Sequence, residues 1–193
     1  MLFIDGQNFL KLAAASLFPE DKSRHQFDGL ALDYNRLFAS ALEDVKLDKQ
    51  WFYSAKIRRH PDSMKKSDEL VESQRKLKTY LEENGFETII GGSVRGNYSL
   101  SPRGKRVLIF KEKGVDVRIA VDAVSLACDG ELKHAVICSS DSDLQPAIDQ
   151  LKKRGVSVTY IGFESFQNRG LTYTCHRTIL LRDAELRKYY NGV

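Results

Sequence analysis

The sequence predicts an α/β fold with a doubly wound sheet. Three observations lead there. Short apolar runs alternate with longer segments of helical period, the order that builds strand–helix–strand units. Two of the runs, Leu2-Phe3-Ile4 and Ala135-Val136-Ile137-Cys138, are apolar throughout, as strands buried on both faces are. Acidic residues stand at or just beyond several of these segments, and in an open parallel sheet the carboxyl ends of neighbouring strands face one ligand-binding crevice.

The elements follow in order. Residues 2–5 form the first strand. A helix over 8–17 carries Phe9, Leu10, Leu12, Ala13 and Leu17, and 18–29, with Pro19 and mixed charges, is a loop. Leu32, Leu37, Phe38, Ala41, Leu42 and Val45 have helical spacing, with Asp33 or Asn35 as cap. The aromatic run at 50–55 is a strand. A basic loop with Pro61 spans 58–66. The long helix over 67–84, with its stripe at Leu70, Val71, Leu77, Tyr80 and Leu81, ends at Gly85. A strand at 86–90 precedes 91–106, rich in Gly, Ser and Arg, which reads as a ribbon or a mobile loop. A short strand at 107–110 leads to a helix over 115–126 with Val117, Ala120, Val121 and Val124 on one side. Then come a strand at 135–138, a helix over 144–154 ended by Gly155, and a buried strand at 156–161. Past residue 163 the pattern is less regular, with an apolar piece at 178–181 and a helix from Asp183. No repeat or domain boundary is visible. We divide the chain into a domain over 1–163 and a C-terminal extension, 164–193, packing on it.

With 193 residues, 42% hydrophobic and 29% charged, the chain has the composition of a globular domain. No apolar stretch nears the roughly 20 residues a membrane-spanning helix needs. The apolar start lacks a basic flank and a cleavage site, so a cytoplasmic location is the default expectation. Cys128, Cys138 and Cys175 are scattered, and neither they nor the four histidines have zinc-ligand spacing. Residues 56–113 hold 14 Lys and Arg against 8 Asp and Glu, a local +6, so the remainder sums to −2 against the total of +4. Within that span, 91–111 contains Arg95, Arg103, Lys105, Arg106 and Lys111 and no acid. Clustered cations beside clustered carboxylates suit a polyanion held over a metal centre; a solvated basic surface is the plainer alternative.

The acids are Asp5, followed by Asn8 in F-I-D-G-Q-N; Asp116 in K-G-V-D; and Asp141 and Asp143 in S-S-D-S-D. Each also fits a local role. Asp5 or Asn8 can cap the first helix, and Asp116 can cap its helix or sit in the first turn. Ser142 with Gln145 fits a capping box, or Asp143 is itself the cap. Gly6 suits a tight turn where backbone approaches a ligand. Asp122 lies six residues beyond Asp116, about 600° around a helix, so the two do not share a face. Ser139 and Ser140 offer hydroxyls to phosphate. Taken together, carboxylates converging at strand ends repel unless a cation lies between them, and an all-oxygen set favours Mg²⁺ or Mn²⁺ over softer metals. Such an ion serves phosphate chemistry.

These motifs resemble the NYN domains of the PIN-like nuclease superfamily, most closely the LabA-like branch. The resemblance runs over roughly 2–162, through F-I-D-G-Q-N, Tyr53-Ser54-Ala55, Lys113-Gly114-Val115-Asp116 with Asp122, and Ser140-Asp141-Ser142-Asp143-Leu144 with Pro146. It departs where the family usually has Gly at Ser140 and Phe at Leu144. It implies a Rossmann-like, PIN-like, mostly parallel sheet flanked by helices in a single domain, and metal-dependent ribonuclease activity. It also implies that Asp5, Asp116, Asp141 and Asp143 bind metal, with Asn8 orienting the site and Asp122 assisting.

The leading reading is therefore a Mg²⁺- or Mn²⁺-dependent endoribonuclease acting on single-stranded RNA. Arg95, Arg103, Lys105, Arg106 and Lys111 would hold the backbone, with Tyr98 between them to stack a base. A second copy or a protein partner is left open. The alternative is a non-catalytic RNA-binding or regulatory module on the same fold. A phosphatase with an aspartyl nucleophile and a second Asp two residues on is disfavoured, because that position is Gln7.

Overall fold

A computed structural model describes residues 1–20, 24–58, 63–100 and 104–192. Seven strands form one sheet: β1 (Leu2–Asp5), β2 (Gln50–Ile57), β3 (Glu87–Leu100), β4 (Arg106–Lys113), β5 (His134–Cys138), β6 (Ser157–Phe163) and β7 (Arg177–Leu181). Their order is β4-β3-β2-β1-β5-β6-β7. Every pairing is parallel except β3 with β4. The chain leaves β1 toward β2 and β3, then returns to lay β5 on the other side of β1. The strand order therefore reverses between β1 and β5, which is where an open α/β sheet has its crevice.

Both faces are covered, as a buried parallel sheet requires. Helices α1 (Gly6–Leu17), α2 (Tyr34–Ala41), α3 (Met64–Glu83) and α7 (Asp183–Tyr189) lie over one face. There Phe9, Leu37, Phe38, Leu81 and Leu186 pack on Leu2, Ile4, Phe52 and Val136. Helices α4 (Val115–Cys128), α5 (Gln145–Lys153) and α6 (Arg169–Thr174) lie over the other, where Ile119, Ile148 and Leu171 pack on Phe3, Tyr53, Ile137 and Val158. Strand β7 and helix α7 complete the sheet and its core, so the segment beyond 163 belongs to the same single domain.

The structure also corrects several expectations. Of the two readings for 91–106, the described residues take the ribbon: β3 runs on to Leu100 and pairs antiparallel with β4, and 101–103 lie outside the described residues. Between Ser54 and Ala55 the register skips from Ile90 to Gly92, so Gly91 is the extra residue of a bulge. On α4 the buried stripe is Val115, Ile119 and Ala123, whereas Val117 and Val121 are exposed. Two apolar series share this helix, and the one continuous with Val115 wins because Val115 lies beside Gly92. The turn at 142–144 is a 3₁₀ helix capped by Asp141, not by Ser142 or Asp143, and α5 begins one step later with Pro146 in its first turn. Asp33 caps α2 through Arg36 N–H, 3.0 Å.

Candidate active site

The switch point gathers groups from three elements. Asp5 ends β1 and caps α1, accepting from Asn8 N–H at 3.2 Å. Gly6 follows, with no room for a side chain: a Cβ would lie 2.2 Å from Phe52 Cε1 and 2.5 Å from Tyr53 O. The glycine thus serves the packing of α1 on β2, a reason distinct from ligand approach. From β5 the chain continues through Ser139 to Asp143. Asp116 enters from the first turn of α4, which starts at Gly114 in a left-handed conformation, φ 89°.

One carboxylate oxygen each of Asp116, Asp141 and Asp143 lies within 4.8 Å of the other two. Asp5 sits behind this trio, only 5% exposed. Burial raises its carboxyl above the usual range, and the charges of Asp141 and Asp116 raise it further; hydrogen bonds from Asn8 N–H and Ser139 pull the other way. Ser139 donates its hydroxyl to Asp5 Oδ2 (3.2 Å) and accepts from Asp141 N–H (3.1 Å). It is buried and engaged in the protein, and the Ser140 hydroxyl is buried too, so neither presents itself to a phosphate. Asn8 Oδ1 accepts from Ser140 N–H (3.0 Å), which ties the first helix to the loop carrying Asp141 and Asp143. Asp141 Oδ1 in turn accepts from Asp143 N–H (3.0 Å).

Asp122 stands apart from the trio. Its carboxylate takes both contacts of Arg118 Nε (2.8 and 2.9 Å) and the Tyr53 hydroxyl (3.2 Å), which pins α4 to β2. The helix rotation between Asp116 and Asp122 separates them as the spacing implies.

A family model matches residues 1–182. The chain belongs to the NYN domain family. NYN members are generally ribonucleases, and the family has the PIN-like nuclease fold. A crystal structure of a protein of unknown function from Vibrio parahaemolyticus shares the fold, with a TM-score of 0.59 at 18% identity over 93% of this chain and 90% of that one. No curated protein matches the chain.

This NYN domain brings one further acid to its crevice. Glu112, on β4, is lifted to about 7 by burial first and then by the charges of Asp5 and Asp116, against a hydrogen bond from Ala55 N–H. Its sequence setting, Lys111-Glu112-Lys113, signals only a solvated charge alternation; the antiparallel pairing of Glu112 with Val94 is what turns it inward. Beside it runs a groove of about 780 Å³ that starts at Gly6 and Gln7 and passes between α3 and the sheet, with Phe52, Leu70 and Leu77 in its wall. Asn168, at the start of α6, donates to Ser140 O (2.9 Å) and was equally hidden.

The basic residues lie on the ribbon. Arg95 and Lys111 are exposed and directly opposite each other across β3 and β4. Tyr98 is 46% exposed and covered on its ring by Arg106 at 4.5 Å. Lys105 is exposed just before β4, and Arg103 lies outside the described residues. No helix among the described residues is long and apolar enough to cross a membrane.

Proposed function

We propose that this NYN domain, as a member of the LabA-like branch, is an endoribonuclease that hydrolyses single-stranded RNA with Mg²⁺ or Mn²⁺. The convergence of Asp116, Asp141 and Asp143 at the switch point carries this reading. The donor set fits a hard divalent cation: the gathered groups are carboxylates, and neither a histidine nor a cysteine is among them. Asp116, Asp141 and Asp143 would hold the ion, with Asp5 behind them as a further ligand. When bound, the cation supplies Lewis-acid polarisation of a phosphodiester oxygen and charge neutralisation.

The chain's own groups do the rest. Asn8 and Ser139 hold the acid loop against β1, which fixes the carboxylates before substrate arrives. Asp143, the exposed member of the trio, would complete the cation site or accept a proton from the attacking water at a carboxylate oxygen. Asp122 assists indirectly by holding α4, and with it Asp116, on β2. Arg95 and Lys111 repel each other across the ribbon, an arrangement a phosphate between them would relieve. Tyr98 and Arg106 lie on the ribbon's other face, an odd number of residues from Arg95 and Lys111, and would offer the RNA strand a second contact, with Tyr98 for a base.

Purified protein with Mn²⁺ should cut single-stranded RNA, and Asp141→Asn, which removes one negative charge without changing shape, should not. Equal cutting by both proteins would trace the activity to a contaminant and remove the proposal. RNA binding that ignores EDTA, without cleavage, would instead support the non-catalytic module.

A further inference from the structure

Ser140 is held on both sides of its residue by an asparagine amide. Its N–H donates to Asn8 Oδ1 (3.0 Å) and its C=O accepts from Asn168 Nδ2 (2.9 Å). Asn168 reaches it from 28 residues away, out of the segment that the sequence marks only as an extension. The Asn168 amide has one workable orientation. Oδ1 accepts from Leu171 N–H (3.1 Å) while Nδ2 donates to Ser140, so a flip would set donor against donor and acceptor against acceptor.

The Asn168 backbone is equally fixed. Its N–H donates to the Tyr160 hydroxyl (3.3 Å), and its C=O accepts from Thr172 N–H (3.1 Å) and the Thr172 hydroxyl (3.0 Å). Tyr160 and Leu171 are fully buried, so the anchor rests on the core. Asp141 directly follows Ser140, and its own N–H meets Ser139 Oγ, which in turn donates to Asp5. Rotation of the 140–141 peptide would therefore disturb Asp141, Ser139 and Asp5 together.

We propose that Asn168 is a positioning residue for the acidic site, setting the placement of Asp141 and Asp143 through the Ser140 carbonyl. This rests on reading those acids as a cation site. Groups that orient metal ligands without touching the metal typically matter by about 10–100-fold in affinity.

The test separates this role from simple support of α6. Asn168→Ser keeps a good N-cap but has no amide to reach Ser140. Thr172→Ala removes a hydroxyl bond to the Asn168 carbonyl and leaves Ser140 untouched. Mn²⁺ titration calorimetry and amide hydrogen exchange over residues 139–144 are measured on the full chain. Asn168→Ser should weaken Mn²⁺ binding about tenfold and speed exchange at Asp141 and Asp143; Thr172→Ala should do neither. Wild-type exchange in Asn168→Ser overturns the inference, and so does the same loss in Thr172→Ala. Faster exchange in Asn168→Ser alone, in a protein whose wild type takes up no Mn²⁺, leaves the clamp standing and removes the nuclease reading.

Discussion

Asp5 carries several constraints on one carboxylate. Oδ1 caps α1, Oδ2 takes the Ser139 hydroxyl, and the charges of Asp116 and Asp141 press on it from the front. Such a residue is held in place by its neighbours on every side, and Gly6 is part of that hold. A methyl group at Gly6 would meet Phe52, which can shift, and the Tyr53 carbonyl, which cannot without disturbing the β1–β2 ladder. Gly6→Ala should therefore cost about 1–3 kcal/mol. It should lower the melting temperature by several degrees and weaken Mn²⁺ binding by moving Asp5; a wild-type melting curve would show that the strand-to-helix turn has slack. Residues like Asp5 and Asn8 are legible in a sequence because an apolar strand, an acid and a glycine adjoin there. Glu112 and Asn168 are not. The first sits between two lysines, and the second has only the local look of a helix cap, while its partner is distant along the chain.

Among the elements, the ribbon departs most from what residues suggest one at a time. Its glycines and serines favour a loop, and pairing with β2 as far as Val94 and with β4 from Ser93 onward makes it a strand. Gly91 and Gly92 permit the pairing: the first is the bulge, and a Cβ on the second would lie 2.3 Å from the Lys113 carbonyl. The pairing also sets Arg95 opposite Lys111, a like-charge pair that disfavours the ribbon by a few tenths of a kcal/mol to about 1 kcal/mol. The Arg95→Ala, Lys111→Ala double variant should then melt at or slightly above the wild-type temperature while binding single-stranded RNA more weakly. Its salt dependence should fall by about 0.7 per lost phosphate contact. Unchanged affinity and slope would take the ribbon out of the RNA path. Helix α4 teaches the complementary lesson: period alone offers two apolar stripes, and contact with the sheet selects between them.

For the whole molecule, the acids impose a pH dependence whose sign follows from Glu112. Its folded carboxyl titrates near 7 against an ordinary value of 4.5, so between those limits the folded chain binds more protons than the unfolded one. The stability linked to this group is complete below pH 4.5 and lost as pH rises through about 7. Asp5, also raised, acts in the same direction. Discounted for its partial exposure, Glu112 contributes about 1–2 kcal/mol. In EDTA, melting temperature measured against pH should fall less steeply across this window for Glu112→Gln than for wild type. At pH 8 the variant should melt about 2–8 °C higher. A cation in the crevice opposes the same repulsion, so saturating Mn²⁺ should raise the wild-type melting temperature more at pH 8 than at pH 5. Parallel pH profiles for the two proteins would mean that Glu112 reaches water freely and that the repulsion felt at the crevice does not extend to the ribbon.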